Sequence, residues 1–447
     1  MPFLITPDDT SSKAFVSLST LELVARNCHL TSYKKIRSIP SFNISGDLIA
    51  YASPDSTYAV TKRLLDAAKK EIIIGIYDFS ADYMKEIMLQ AMRRGIKISV
   101  MLDIDNQKEK DLFKELARFG ATTTVAPSCA SAHISYFPSS HEKVIVIDKT
   151  WTLVQSGNYS NNSIPFNETD GGDPDNFVTG NRDMGIAIHS EPLANFFRKL
   201  LLSDMKLETD GEKTAVKALA APRPLSPPLD LVEEAPQLSP VQLFPSKTFK
   251  PVTPIKITPV LAPDNYMDLI PGFIENATKS IFIEQQYIRS SSLSVGKLLT
   301  SIKKAKEKNP GLDVRIILGK LFGQDDVKKE KINIANLSAK YGLVLDKNIR
   351  YIDTKRFVHC HNKMIIIDEN ASLISSQNWS ETGVSSNREA GLIIYDPAIA
   401  HYYTQIFESD WSTAQKAIPS TGSGTIQPRA LMKGNFITVS AADYQEV

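Results

Sequence analysis

Two stretches of the chain, HEKVIVIDKTWTLVQSGNYS and HNKMIIIDENASLISSQNWS, place four polar residues at the same intervals. They are His141, Lys143, Asp148 and Asn158 in the first, and His361, Lys363, Asp368 and Asn378 in the second. An imidazole, an ammonium and a carboxamide make a poor metal site but a good cradle for a tetrahedral phosphoryl group. Lysine supplies charge, asparagine a neutral donor, and histidine either attacks phosphorus or gives a proton to the leaving oxygen. One histidine cannot easily do both. Two copies can, if the halves face each other across a pseudo-twofold axis, one ring attacking as the neutral imidazole while the other waits as imidazolium on the leaving-group side. The outcome is a covalent phosphohistidine. A second polar pair, Arg182-Asp183 and Arg388-Glu389, precedes a later apolar run in each stretch. Asp183 and Glu389 are assigned to the far ring nitrogens, where a carboxylate fixes the tautomer and supports developing positive charge. Within the catalytic set, Asp148 and Asp368 are assigned to orient the strand end and the neighbouring lysine. His359 stands two residues before His361, in the run HCH, with no acidic residue placed around it as a metal ligand set would require.

Stepping from these residues to the elements that carry them, alternate positions of a strand share a face. Histidine and lysine therefore emerge side by side while 144–147 and 364–367 continue as buried strand. The asparagines follow on the next strand after a short turn. The duplication extends further: 53–80 matches 262–289, 96–103 matches 312–319, and 181–188 matches 387–394, all in the same order. Helical stretches at 62–69, 83–93 and 293–308 alternate with β-branched runs at 72–76, 96–102 and 313–318, which is the pattern of an α/β sheet with helices packed on it. Residues 221–263 hold 11 of the 25 prolines and read as an extended connector. Its last part, VTPIKITPV, is expected to be a strand entering the second half, kept toward an edge by Pro254 and Pro259. The expected organisation is an N-terminal extension (1–44), a first half (45–205), the connector (206–254), a second half (255–412) and a tail (413–447). A short helix over 21–30 and a late edge strand over 436–441 complete it.

The doubled constellation resembles the phospholipase D superfamily, whose HxKxxxxD motif, followed by a Gly/Ser-rich turn containing Asn, occurs twice in monomeric members. Both copies match, with Gly157-Asn158 after the first and Ser375, Ser376 and Asn378 after the second. The first reads SGNYS where the second reads SSQNWS, and the Gly/Asn core is retained. The resemblance covers roughly 45–205 and 255–411. It implies an α/β, pseudo-twofold phospholipase D-like fold of two similar mixed-sheet halves with flanking helices, and a pseudo-dimer within one monomeric chain. It also implies phosphodiester chemistry that needs no metal or cofactor, with His141 as nucleophile and His361 as general acid, then base.

Members of that family act on phospholipid head groups or on nucleic acids, so the surroundings must discriminate. The segment from Asn158 to Arg182 is longer than that from Asn378 to Arg388, and the insertion carries Glu168, Asp170, Asp173 and Asp175 without a basic residue. An acidic rim disfavours a long polyanion. IFIEQQYIRSS (281–291) resembles the Ile-Glu-Asn-Gln-aromatic strand of lipid-cleaving members, with Gln285 in place of Asn. This resemblance implies a leaving-group pocket shaped by Glu284, Gln286 and Tyr287. Against both clues, residues 301–350 carry 12 Lys/Arg and 6 Asp/Glu, a surface suited to an anionic membrane, met peripherally, or to a nucleic-acid backbone. The narrow preference is phospholipase D-type hydrolysis or transfer, then a nuclease; cardiolipin-type lipid synthesis ranks lower because such enzymes commonly carry membrane-spanning segments, and a noncatalytic anion-binding scaffold is the alternative of another class. With 447 residues, 42% hydrophobic, 23% charged and a formal net charge of +1, the composition is that of an ordinary globular protein. Cys28, Cys129 and Cys360 form no CxxC and cannot all pair, and the start, MPFLITPDDTSSK, lacks the basic and apolar runs of a signal peptide. A reducing, cytoplasmic setting without a membrane span is the expectation.

Overall fold

The runs VIVI (144–147) and KMIII (363–367) lie on strands buried at every position, as strands covered on both faces must be. A computed structural model describes residues 30–104, 106–129, 135–166, 180–215, 231–232, 244–419 and 427–428. The first eight-stranded sheet contains β2 (Leu48–Ser53), β3 (Glu71–Ile76), β4 (Lys97–Leu102), β5 (Thr122–Val125), β6 (Val144–Ile147), β7 (Trp151–Gln155), β8 (Asp183–His189) and β10 (Lys247–Phe249). Its order is β10-β2-β8-β7-β6-β3-β4-β5. The second contains β1 (Phe42–Ile44), β11 (Ile255–Ala262), β12 (Ser280–Gln285), β13 (Asp313–Leu318), β14 (Ile349–Tyr351), β15 (Lys363–Ile367), β16 (Ala371–Ser375) and β17 (Glu389–Tyr395), in the equivalent order β1-β11-β17-β16-β15-β12-β13-β14. A short pair, β9 (Leu231–Val232) with β18 (Gln427–Pro428), stands apart. Strands β3, β4 and β5 run parallel, as do β12, β13 and β14, and the remaining pairs in both large sheets are antiparallel.

The edges are exchanged. β1, from before the first half, pairs with β11 of the second sheet, and β10, from the connector, pairs with β2 of the first. Pro259 falls past the end of β1, where β11 has no partner on that side and the missing N–H is harmless. The helix Glu191–Ala215 continues ten residues into the span expected as connector. At the other end, Gln415 pairs with Tyr351, which holds the chain just past the helix Pro397–Thr413. The expected elements at 21–30 and 436–441, apart from Leu30, lie outside the described residues, as do the four acids of the insertion.

The sheets stack through one central core. Ile73, Val144, Val146 and Ile186 of the first meet Met364, Ile366, Ile374 and Leu392 of the second, with Phe197, Leu201, Tyr403 and Phe407 from the helices Glu191–Ala215 and Pro397–Thr413 between them. The opposite faces are covered by each half's own helices: Thr57–Asp66, Asp82–Arg93 and Gln107–Arg118 on the first, Tyr266–Glu275, Leu293–Lys308 and Gln324–Tyr341 on the second. No helix among the described residues is long and apolar enough to cross a membrane. Cys129 is disulfide-bonded and Cys360 is a free, buried thiol.

Two buried arginines join the halves. Arg182 donates from Nε and Nη2 to Asp410 of the second half (2.7 and 3.1 Å) and from Nη1 to Asp55 of the first (2.6 Å). Arg388 mirrors it, reaching Asp264 of its own half (2.7 Å) and Asp204 of the other (2.8 and 3.1 Å). Removing one member of such a buried set strands the remaining charges. Arg182→Met is therefore expected to lower unfolding free energy by about 3–5 kcal/mol, read as a drop in denaturant midpoint, with part of the loss recovered in Arg182→Met/Asp410→Leu.

Candidate active site

β6 runs antiparallel to β3 and β15 antiparallel to β12, so the residues just before β6 and β15 sit at the carboxyl ends of the parallel strands, where open α/β sheets bind ligands. His141 and His361 emerge there and face each other, ring centroids 6.5 Å apart. Backbone bonds across the halves fix them. His141 N–H donates to the carbonyl of Arg388 (2.7 Å), and His361 N–H to that of Arg182 (3.0 Å).

The carboxylates arrive crosswise. Glu389 of the second half lies 2.9 Å from Nδ1 of His141, and Asp183 of the first lies 3.0 Å from Nδ1 of His361. Nδ1 of His141 is also 3.2 Å from the carbonyl oxygen of Ser376. A carbonyl only accepts, so Nδ1 carries the proton and Nε2 keeps its lone pair. The Ser376 hydroxyl donates to Glu389 and that of Ser156 to Asp183. The ammonium groups of Lys143 and Lys363 donate to the carbonyls of His141 and His361. Asn158 lines the cavity between the halves, whereas Asn378, although buried, does not.

Burial dominates the electrostatics. Desolvation, then the charges of Lys143 and Lys363, holds His141 well below the usual imidazole range, and desolvation with Lys363 lowers His361 to about 4 despite Asp183. Burial and the lysine charges thus disfavour the imidazolium form at both rings. Burial lifts Glu389 to about 8 against Lys143, whereas His361 and Lys363 overcome burial to hold Asp183 below its ordinary value. The ionised acid therefore faces His361. Lys143 is lowered by burial to about 7.

Asp148 and Asp368 are remote from this chemistry. Asp148 accepts from the amides of Lys69, Lys70 and Glu71 at 2.7–2.9 Å, and Asp368 from those of Thr278, Lys279 and Ser280 and the Thr278 hydroxyl. Each clamps the corner leading into β3 or β12 to the far end of β6 or β15. These contacts lie at the strand end away from Lys143 and Lys363. Gln286 and Tyr287 line the cavity of about 160 Å³, but Glu284 does not. Glu284 is wholly buried, accepts from Asn362 (2.8 Å), and is raised by burial and then by Asp410 to about 8. It supports the strand rather than the leaving group.

Several positioning groups escaped the sequence reading. Asp103 accepts from Ser128, from Ser139 and from the amide of Ser140, setting the loop that leads into His141. The partners of the arginines were encoded in the repeat itself, since Pro-Asp recurs at 54–55 and 263–264 and Ser-Asp at 203–204 and 409–410. Among the described residues no group of three or more His, Cys, Asp or Glu could hold a metal ion.

Two duplicated halves sharing one composite pair of HxKxxxxD histidines define a two-motif phospholipase D-like protein. Residues 61–205 and 270–411 both match the family described as "Cardiolipin synthase, PLD-like domain", and the chain belongs to this family of the phospholipase D superfamily. No curated protein matches it. Among solved structures, phosphatidylserine synthase of Haemophilus influenzae Rd KW20 is similar in fold at 13% identity, covering 88% of this chain and 91% of that one with a TM-score of 0.55. Nuc, a phospholipase D family member from Salmonella typhimurium, matches at 18% identity over 36% of this chain and 93% of its own, with a TM-score of 0.28. NucT from Helicobacter pylori matches at 17% identity over 36% and 99%, with a TM-score of 0.28.

The clamp at Asp368 yields a prediction separable from catalysis. Its hydrogen bonds hold the carboxyl below its ordinary 3.8 against burial. A depressed acid stabilises the fold above its unfolded value and loses that contribution as pH falls through the folded one. Asp368→Ala is expected to cost about 1–2 kcal/mol near neutral pH, the figure discounted for partial exposure, while kcat of the folded protein is unchanged. Denaturant unfolding at several pH values checks both parts, and the wild-type advantage should shrink as pH falls below 3.8.

Proposed function

We propose that the chain is a metal-independent phosphodiesterase that works through a covalent phosphohistidine and hydrolyses or transfers phospholipid head groups. The observation that carries this reading is the pair of crossed imidazole–carboxylate contacts on rings 6.5 Å apart. His141 suits the nucleophile because the Ser376 carbonyl leaves its Nε2 lone pair free. Nε2 attacks phosphorus, the bond to the leaving oxygen breaks, and His361 protonates that oxygen. Water then gives a proton to His361, attacks phosphorus and breaks the P–N bond, regenerating both rings. An alcohol in place of water makes the same step a transfer. His361 takes its proton from solvent as the substrate binds: a phosphodiester anion offsets the lysine charges that depress this ring, and ionised Asp183 supports the imidazolium. Two ammonium groups beside the rings would repel a metal cation, so charge stabilisation falls to lysine.

The lipid assignment rests on the cavity walls. Asn158, Ser160, Asn162 and Asn181 line the cavity together with Leu321, Phe322 and Val358, and the charged side chains that the basic segment contributes are Lys320 and the acids Asp326 and Glu330. Lys328, Lys331 and Lys340 of that segment are exposed and suit a peripheral contact with an anionic membrane. The nuclease reading is favoured by one feature. Arg289 stacks over Tyr287 at 4.4 Å and Lys320 lies over Phe322 at 6.0 Å, a cation–aromatic combination that single strands use.

Two measurements test this function. His141→Ala is expected to remain folded and lose turnover, and His361→Ala to accumulate a phosphorylated protein, seen by intact mass, with a substrate whose leaving group needs no proton. Normal turnover in His141→Ala would sink the nucleophile assignment. In excess chelator, phosphatidylcholine vesicles are expected to be turned over faster than single-stranded DNA, duplex DNA or RNA. Preference for a nucleic acid would overturn the lipid reading, and activity restored only by divalent metal would defeat the metal-free one.

A further inference from the structure

The cavity holds a third imidazole that the reaction above does not employ. His359, His361 and Lys363 fall at alternate positions of a segment whose first part pairs with Arg182, so their side chains succeed one another along one face. The equivalent row in the first half is Ser139, His141 and Lys143. The neighbouring strand differs to match. Ser139 donates to buried Asp103, the residue after β4 (3.0 Å), whereas the residue after β13 is Gly319, where a β-carbon would lie 2.3 Å from Cε1 of His359. An acid–hydroxyl pair in one half is replaced in the other by an imidazole over a glycine.

One hydrogen bond sets the chemistry of this ring. The backbone N–H of Lys320 donates to Nδ1 at 2.9 Å, so Nδ1 is an acceptor and the neutral ring carries its proton on Nε2. Burial, with the charges of His361, Lys363 and Lys320, holds the ring well below the usual imidazole range and keeps it neutral. His359 lines the cavity, yet its Nε2 has no hydrogen-bond partner. A buried donor without an acceptor is destabilising, and although Nε2 itself is covered, a ligand that displaces the wall beside it can satisfy it with an oxygen.

We propose that His359 is a substrate-positioning donor whose Nε2–H bonds an oxygen of the alcohol portion on the His361 side of the cleaved bond. Leaving groups that carry such an oxygen are then favoured over those ending in a quaternary ammonium. This rests on His361 acting on the leaving-group side.

The test compares wild type, His359→Phe and His359→Gln on vesicles of phosphatidylglycerol and of phosphatidylcholine, each over a pH series. Phenylalanine keeps the planar volume without the donor, and glutamine restores an N–H. For phosphatidylglycerol, kcat/KM is expected to fall roughly 10-fold or more in His359→Phe and to recover largely in His359→Gln. Rates on phosphatidylcholine should stay near wild type, and the pH profile should keep its shape because burial and the neighbouring charges disfavour protonation of this ring. Equal losses on both lipids, glutamine behaving as phenylalanine, or a lost limb of the pH profile would overturn the proposal. If wild type turns over neither lipid, the head-group function fails by itself, and His359 is judged on single-stranded DNA, whose leaving nucleotide carries sugar oxygens. There a loss in His359→Phe restored by glutamine supports it, and wild-type rates in both variants refute it. Should His359→Phe not fold, His359→Ser, which copies the first half, takes its place.

Discussion

Asp183 and Glu389 each leave their own half to reach the imidazole of the other, and each stands directly after an arginine buried at the junction. That adjacency couples assembly to chemistry. The backbone of Arg182 pairs with 359–361 and its side chain with Asp410, so the position of Asp183 against His361 follows from how the sheets dock. Arg388 does the same for Glu389 and His141. A buried guanidinium is tolerable only with its partners in place, and here the partners come from both halves. Docking therefore sets the two histidine–carboxylate contacts, and each of them draws on both halves.

The same burial governs charge. Burial and the two lysines disfavour charge on both rings, while the two acids are pushed in opposite directions, so the site's electrostatics favour an anion. Elsewhere the symmetry keeps its balance by exchanging residues. Glu142 lies against Gly75 in the first half, while in the second Glu284 stands at the glycine's place and Asn362 at the glutamate's. One buried acid occupies each half although the sequence positions differ. Both acids are raised by burial, Glu142 to about 7 and Glu284 to about 8.

Where the halves depart from each other, the departures cluster at the cavity. Asn158 lines it and Asn378 does not; Ser139 over Asp103 is answered by His359 over Gly319. A duplicated scaffold can hold a symmetric pair of histidines, but a phosphodiester has different groups on its two sides. Discrimination between them needs asymmetry at the walls, and the walls are where it occurs.

The repeat, the two HxKxxxxD stretches, the α/β alternation and the two carboxylates were legible in the chain itself, because strand alternation and motif spacing are local properties. The spacing by itself also told that histidine and lysine share a face. It could not tell that the carboxylates cross between halves, that Glu284 lies beneath the site while Gln286 and Tyr287 line it, or that Asp148 and Asp368 clamp backbone amides at the far end of their strands. Those outcomes depend on which strand ends meet across an interface, a relation between residues as far apart as 183 and 361. Nor could the charge state of the rings be read from residue types, since burial and the two lysines decide it. Sequence determined the chemical inventory and its duplication, and the docking of the two sheets determined which of those groups act together, because desolvation and hydrogen-bond geometry exist only once the halves have closed.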